Sequence, residues 1–187
     1  MELLETARTL DGFGWVLVPN RDKVPVVKGW TNFTKQNGYR ITRSQIENGR
    51  ANNIGILAGE ESGLVAVDID DFDSWLEIAE KEIMPETFTV ITGKGGVHYY
   101  FSYEGKVVNL HTGVIKNRKG KRIGDFRTDG GQIMAPGSTN TETGRKYLVY
   151  DDGQQSGYRP LKKKGDPVPI LAEMPDWLYE LLKASQR

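Results

Sequence analysis

The chain has no cysteine and only two histidines among its 187 residues. The lack of cysteine excludes disulfide bonds, thiolate zinc sites and a cysteine nucleophile, and two histidines are too few for a histidine-rich metal site. The sequence also lacks both an apolar run of about 18 residues and the pattern of a signal peptide. We therefore predict an intracellular, cytoplasmic protein without a membrane partner.

Neither sign of charge is in excess, because 25 basic residues balance 25 acidic ones. A net charge of zero argues against a wholly basic nucleic-acid-binding surface, although it does not exclude local basic patches. Two such patches, Lys116–Arg122 and Lys162–Lys164, could contact phosphates, while a solvated loop is the simpler interpretation of each. With 37% hydrophobic and 27% charged residues, the composition is typical of one globular domain spanning residues 1–187.

The most informative segment, Val65–Asp70, alternates with the two-residue period of a β-strand. Its three β-branched residues would share one face, which leaves Asp68 and Asp70 together on the other. Neighbouring carboxylates repel each other unless a cation lies between them, and hard oxygen ligands suit Mg²⁺ or Mn²⁺. The alternative is that this pair simply ends a strand and faces water.

A glycine-rich segment at residues 92–101 could bind an anion. Its three glycines would let backbone N–H groups approach a phosphate, and Lys94 would supply a positive charge. His98 follows at the start of a predicted strand, within reach of a phosphate oxygen. A glycine hairpin with a hydrogen-bonded histidine is the alternative for this segment taken alone.

A third polar segment begins at Gly124, where alternation places Asp125 and Arg127 on one strand face. Asp125 could complete a metal cluster with the first two aspartates, or it could form a purely structural ion pair with Arg127. Ser138 follows the next predicted strand in a tight turn, where its hydroxyl could cap backbone groups or touch a ligand.

The pattern as a whole predicts a mixed α+β domain with a mainly antiparallel sheet, because several connections are too short for parallel crossovers. Helices are predicted at residues 1–10, at 42–49 behind a capping box, at 72–83, and at 175–184 after a connector at about 160–169. Strands are predicted at residues 13–18, 54–57, 64–69, 87–92, 97–103, 122–127, 132–135 and 146–150.

Three motifs follow one another in a familiar order. They are an apolar strand ending in Asp-x-Asp, a Thr-Gly-x-Gly-Gly-x-His-x-Tyr-Phe hairpin, and Asp-x-Arg-x-x-Gly-Gly-x-x-x-Ala-Pro-Gly-Ser. Together they resemble the primase–polymerase domain of the archaeo-eukaryotic primase superfamily, and the likeness extends from the Lys23–Trp30 loop to the terminal helix. It implies an RRM-like sheet core with flanking helices and a template-directed nucleotidyltransferase, a DNA primase/polymerase, that works in replication.

The resemblance also implies cofactors and partners. The cofactor would be Mg²⁺ or Mn²⁺, and the partners would be a single-stranded DNA template, a primer and nucleoside triphosphates. Such domains often precede a replicative helicase in plasmids, phages and other viruses. We therefore expect a plasmid- or virus-encoded protein in which this chain is part of a longer polypeptide with a helicase domain.

Residue roles follow from the same resemblance. Asp68, Asp70 and Asp125 match the catalytic, metal-binding carboxylates, and His98 matches a contact to the triphosphate of the incoming nucleotide. Many relatives have a serine where this chain has Lys94, which we expect to assist with phosphate instead. The nucleotide site is predicted to comprise His98, Lys94, Gly95, Gly96, Arg127 and Ser138, and the nucleic-acid site Lys116, Arg118, Lys119, Lys121 and Arg122.

Two other classes of protein remain as alternatives. A non-catalytic RRM-like nucleic-acid-binding module would have no need for three grouped carboxylates. A metal-dependent nuclease or phosphodiesterase would use such carboxylates equally well. The glycine hairpin and His98 favour a triphosphate ligand over both alternatives.

Overall fold

Four α-helices flank two β-sheets in the computed structural model, which describes residues 2–151, 155–161 and 167–186. This architecture confirms the predicted α+β class, while the RRM-like arrangement stays a prediction. No helix within the described ranges is both long enough and apolar enough to cross a membrane. The helices are α1 (Glu2–Gly12), α2 (Gly38–Glu47), α3 (Phe72–Ala79) and α4 (Asp176–Ala184), with 3-10 helices at Trp30–Asn32 and Gly105–Asn109.

The strands pair antiparallel in both sheets. They are β1 (Leu17–Arg21), β2 (Val24–Pro25), β3 (Asn53–Leu57), β4 (Leu64–Ile69), β5 (Thr89–Ile91), β6 (Val97–Ser102), β7 (Gly113–Lys116), β8 (Arg122–Arg127), β9 (Gln132–Met134), β10 (Leu148–Tyr150) and β11 (Tyr158–Arg159). The larger sheet has the order β11-β10-β5-β6-β4-β8-β7, and the smaller has the order β2-β1-β3-β9.

Strand β4 lies inside the larger sheet, between β6 and β8. Its β-branched residues, Val65, Val67 and Ile69, are fully buried in a cluster that includes Trp75 of α3 and Leu178 of α4. Burying each of these side chains contributes about 1.5–3 kcal/mol. On the opposite face, Leu64 and Ala66 join a second cluster with residues of the smaller sheet, such as Ile54 and Ile56.

The register of β4 fixes the polar end of that second face. Asp68 lies directly opposite His98 of β6 on one side and Asp125 of β8 on the other. Residues opposite each other in an antiparallel pair point to the same face. The hydrophobic layers on the two sides of the sheet therefore position Asp68, Asp125 and His98 together.

Two helix boundaries differ from the sequence prediction. Helix α2 begins at Gly38 behind Asn37, four residues before the predicted start at Thr42, which instead lies fully buried inside the helix. Helix α3 ends at Ala79, so Ile83 lies outside it and is 85% exposed. The apolar pattern continues beyond α3 to Ile83, but the side chain of Ile83 lies at the surface.

The first strand was predicted to stop at Pro19, yet β1 runs through this residue to Arg21. The carbonyl oxygen of Pro19 accepts a hydrogen bond from the N–H of Val26, beside the short edge strand β2. Since the nitrogen and carbonyl of a strand residue point the same way, the missing N–H of proline also faces this edge. A proline is tolerated at such a position because no central ladder bond is lost.

Three short strands, β2, β7 and β11, were not predicted at all. Strand β7 includes Lys116, so the predicted basic loop is a hairpin between β7 and β8 whose turn is closed by the Asn117 side chain. The side-chain oxygen of Asn117 accepts hydrogen bonds from the N–H groups of Lys119 and Lys121. The Lys162–Lys164 run, inside the predicted connector, lies outside the described residues.

Candidate functional site

A cavity of about 450 Å³ opens where the polar end of β4 meets the smaller sheet. Its lining contains the three predicted carboxylates together with His98. Four cationic side chains also line it. The charged lining residues are Asp68, Asp70, Asp125, Lys23, Lys94, Arg122 and Arg127.

Two neighbouring residues of this cavity are Asp68, which is half-buried, and His98, which is buried. The Nε2 atom of His98 lies 3.2 Å from Oδ1 of Asp68, and the histidine is 2% exposed. This approach does not have the geometry of a hydrogen bond, so Oδ1 of Asp68 has no hydrogen-bond partner within the described part of the chain, and Nδ1 of His98 has none there either. Burial tends to raise the pKa of Asp68, but the charges of His98, Arg127 and Lys23 outweigh it and hold that pKa below its usual range. Buried polar atoms without partners are uncommon, and these two belong to residues that line a cavity in which a cation or another ligand could bind.

Asp125 is also buried, and one of its oxygens is held by two arginines. Its Oδ2 atom accepts hydrogen bonds from Arg122 at 2.5 Å and from Arg127 at 2.6 Å. Arg122 reaches this face because Ile123 is an extra residue in β8, since Lys116 pairs with Arg122 and Ile115 pairs with Gly124. Such a β-bulge redirects the side chains beside it, and bulges are common next to active sites.

Asp70 lies one residue beyond the end of β4 and is exposed. Its backbone N–H donates to the carbonyl of the bulged Ile123. Desolvation, followed by the negative charges of Asp68 and Asp125, raises the pKa of its carboxyl group. Asp70 therefore lies close enough to the other two aspartates to be repelled by them.

The three carboxylates have the oxygen ligands that a hard divalent cation prefers, but they are not assembled into a metal-binding group. Within the described ranges, no three His, Cys, Asp or Glu side chains form a group able to hold a metal ion. All three carboxylates nevertheless line one cavity, with Oδ1 of Asp68 unsatisfied and Asp70 repelled by its two neighbours. A cation bound between Asp68 and Asp70 would offset the repulsion between these two carboxylates.

The glycine hairpin presents Lys94 to the cavity, and two of its backbone donors are already used within the turn. The N–H of Gly95 donates to the carbonyl of Thr92 at 3.0 Å, and the N–H of Gly96 donates to its hydroxyl at 2.9 Å. A Cβ atom on Gly96 would lie 2.2 Å from the carbonyl oxygen of Ile69, so this glycine allows the turn to pack against β4. Lys94 itself forms an ion pair with Glu142, which raises the lysine pKa mainly through their hydrogen bond.

Ser138 lies outside the cavity and has a structural role. It is fully buried, its hydroxyl donates to the carbonyl of Ile54 at 3.0 Å, and the same oxygen accepts from the N–H of Ile54 at 3.1 Å. Both hydrogen-bonding functions of the hydroxyl are thus used by the backbone. These hydrogen bonds correspond to the capping alternative, and the nucleotide contact of Ser138 stays a prediction.

The predicted basic patch is divided between two surfaces. Arg122 lines the cavity, and Lys121 forms an ion pair with Asp71 at 2.7 Å. Lys116 and Arg118 line a separate groove of about 460 Å³, together with apolar residues of α3 and α4 that include Trp177. Lys119 is exposed in the turn between the two strands.

Sequence reasoning missed several residues of the cavity lining, among them Lys23 and Tyr147. Lys23 was assigned only to a loop, and Tyr147 only to a predicted strand. The ring of Tyr147 lies 5.5 Å from that of His98 and covers the histidine. An available signal for Lys23 was the short polar segment between two apolar ones, which is typical of a tight hairpin turn.

Comparison with known proteins gives one family. The family model described as bifunctional DNA primase/polymerase, N-terminal (Prim-Pol) matches residues 6–177. The matched range includes every residue of the cavity lining named above. A search of curated proteins finds no match to the chain.

Proposed function

Because the chain belongs to the Prim-Pol family of bifunctional DNA primase/polymerase N-terminal domains, we propose that it is a template-directed nucleotidyltransferase that extends a 3′-hydroxyl during replication. Membership supports a primase/polymerase domain with DNA and nucleotides as substrates. The observation that carries the proposal further is the grouping of Asp68, His98 and Asp125 on three neighbouring strands at one cavity. We further propose that residues 1–187 form a single catalytic domain.

The metal site is proposed to consist of Asp68, Asp70 and Asp125. A pair of Mg²⁺ or Mn²⁺ ions, when bound, would lower the pKa of the attacking hydroxyl and offset the charge on the triphosphate. Asp68 contributes an oxygen without a hydrogen-bond partner, and Asp70 contributes a carboxylate that two neighbouring charges destabilise. Arg122 and Arg127 act as positioning residues, because they hold one oxygen of Asp125.

The nucleotide site is proposed to include His98 and Lys94, which lie on the same cavity as the carboxylates. Lys94 would exchange its partner Glu142 for a phosphate, which carries more negative charge. Electrostatic stabilisation of the leaving pyrophosphate by such fixed groups accelerates phosphoryl transfer. Gly95 and Gly96 serve this site indirectly, since they shape the turn that carries Lys94.

The template is proposed to lie along the hairpin between β7 and β8. Lys116, Arg118 and Lys119 are exposed there, and among the described residues none of the three has a carboxylate within ion-pair distance. Cations that are free of internal partners can neutralise backbone phosphates at little cost. Trp177 lies in the same groove and offers an aromatic surface beside them.

The decisive experiment is an extension assay on primed and unprimed single-stranded templates, with ribo- and deoxyribonucleotides and with Mg²⁺ or Mn²⁺. We expect extension of a primer that requires a divalent ion and is lost in Asp68→Asn. Asp73→Asn is the matched control, because it removes an exposed carboxylate from the first turn of α3, outside the cavity. Degradation of the primer without any extension would favour a nuclease, and template binding without either reaction would favour a non-catalytic module.

A further inference from the structure

Lys23 is presented to the cavity by a turn with a fixed conformation. Arg21 of β1 pairs with Val24 of β2, which makes Asp22 and Lys23 the two central residues of a tight hairpin. Asp22 has a φ of 58°, in the left-handed region that residues other than glycine rarely adopt. Aspartate tolerates this conformation better than most residues, and contacts with the surrounding structure can fix it.

Four hydrogen bonds enforce this turn. The side-chain oxygen of Asn52 accepts from the N–H of Asp22 at 2.7 Å, and its amide nitrogen donates to the Asp22 carboxylate at 3.1 Å. Asn53 donates to the carbonyl of Asp22 at 2.9 Å, and Gln132 donates to the carbonyl of Lys23 at 3.3 Å. The turn is therefore tied both to β3 and to the cavity-lining strand β9.

Lys23 differs from the other cations of the cavity in its partners. Lys94 is paired with Glu142, while Arg122 and Arg127 share Asp125. No carboxylate among the described residues lies within 4.0 Å of the Lys23 ammonium group. Its charge is nevertheless available inside the cavity, next to the residues proposed to hold the metal ions.

The positive charge of Lys23 affects the pKa values of nearby carboxyl groups. The pKa of Glu142 is lowered first by its hydrogen bond and charge interaction with Lys94, and additionally by the charge of Lys23. Lys23 also counteracts the rise in the pKa of Asp70. Its charge therefore acts on the space between the carboxylates and the Lys94–Glu142 pair.

We propose that Lys23 binds a phosphate group of the incoming nucleoside triphosphate, an assignment that rests on the proposed function. The cavity has the volume of a small-molecule site, which suits one nucleotide better than a DNA strand. A lysine without an internal partner can bind a phosphate without first breaking an ion pair, unlike Lys94. The rigid turn reduces the entropy lost when the ligand binds.

The test measures binding by calorimetry, in the presence of Mn²⁺, for a nucleoside triphosphate, the matching monophosphate and the nucleoside. Lys23→Gln should weaken triphosphate binding roughly tenfold or more, as expected for the loss of a hydrogen bond to a charged group. The affinity for the nucleoside should not change, and Lys23→Arg should restore most of the triphosphate affinity. Lys28→Gln is the matched control, because Lys28 is exposed in the same segment but does not line the cavity.

Several outcomes would overturn the assignment. If the wild type binds nucleotides and extends primers while Lys23→Gln keeps its triphosphate affinity, Lys23 does not bind the phosphate. If Lys23→Gln weakens only the binding of DNA, Lys23 contacts the DNA instead. If binding of Mn²⁺ without nucleotide falls in parallel, Lys23 acts on the carboxylates instead. A wild type that neither binds triphosphates nor extends primers would contradict the proposed function itself, which separates the two failures.

Discussion

The two faces of β4 differ in what they contribute to the protein. The face toward α3 and α4 carries Val65, Val67 and Ile69, all fully buried, whereas the face toward the smaller sheet ends in Asp68 at an open cavity. A slip of one residue in register would exchange these faces and bury Asp68 among apolar side chains. The hydrophobic face therefore fixes the positions of the polar groups, and the polar face adds the chemistry.

The largest expected effect separates the two faces by activity. Asp70→Asn should reduce primer extension at least about a thousandfold, which corresponds to roughly 4 kcal/mol of transition-state stabilisation. The free energy of unfolding at neutral pH should stay the same or rise slightly, because partial desolvation and two neighbouring carboxylates raise the pKa of Asp70 and disfavour its charged form. Extension rates and urea denaturation of the same preparation check both expectations.

An Asp70→Asn variant that unfolds at clearly lower urea concentration would contradict this division, because the charge would then stabilise the fold. Asp73→Asn serves again as the control for removing a carboxylate from an exposed position.

A substitution beneath the apolar face of β4 should instead lower the stability of the protein and leave the activity of the folded form unchanged. Trp75 is 1% exposed, and its ring packs against Tyr99 and Trp177 at centroid distances of 6.1 and 5.7 Å. Trp75→Ala should lower the free energy of unfolding by about 3–5 kcal/mol, because it leaves a cavity in the core. Trp75→Phe should cost less, and the fraction that remains folded should retain its activity.

Urea denaturation followed by extension assays at a low temperature would test this expectation. A stable Trp75→Ala protein without activity would show that α3 contributes to the chemistry directly, and would remove the distinction between the faces.

How much of this arrangement was predictable depends on the distance in sequence between the interacting residues. The bounds of β4 and β8 were predicted as they are, because strand alternation is a local property. That Asp125 and His98 lie beside Asp68 was expected only from the order of three motifs, because the pairing of β4 with β6 and with β8 joins residues far apart in the sequence. The position of Arg122 on the cavity face depends on the bulge at Ile123, which disrupts the alternation on which the prediction relied.

The position of Lys23 at the cavity could not be predicted from local patterns, for a different reason. It reaches the cavity through pairing of β1 with β3 and through its contact with Gln132, a residue 109 positions away. Such long-range pairing is set by the whole packing of the two sheets. Ser138 shows the converse case, since its motif matched the family while its hydroxyl serves the backbone of Ile54.

A smaller effect is expected from the hairpin between β7 and β8. Replacing Lys116, Arg118 and Lys119 with glutamine should flatten the log–log dependence of template binding on salt by about 2, at about 0.7 for each phosphate contact to a single strand. Nucleotide affinity should not change, because these residues do not line the cavity. Fluorescence anisotropy with a labelled single strand at several salt concentrations measures the slope.

The control for this prediction is Lys121→Gln, which should change the slope less because Lys121 is paired with Asp71. An unchanged slope in the triple variant, together with a flatter slope on replacing Lys162–Lys164, would place the template on a different surface.

The smallest effect concerns the ion pair that joins this hairpin to α3. Hydrogen bonds from Lys121 and then from the N–H of Ser74 lower the pKa of Asp71 to about 2. A folded-state pKa below the unfolded value stabilises the protein above the unfolded pKa, near 3.8, and this contribution is lost as the pH falls through about 2.

Asp71→Asn keeps a side chain able to cap α3, so the variant removes mainly the charge. In urea denaturation at low salt, the wild type should be slightly more stable than Asp71→Asn at pH 6, and the two midpoints should converge between pH 4 and pH 2. A difference that stays constant across this range would show that the Asp71 carboxylate does not titrate as its contacts with Lys121 and Ser74 require.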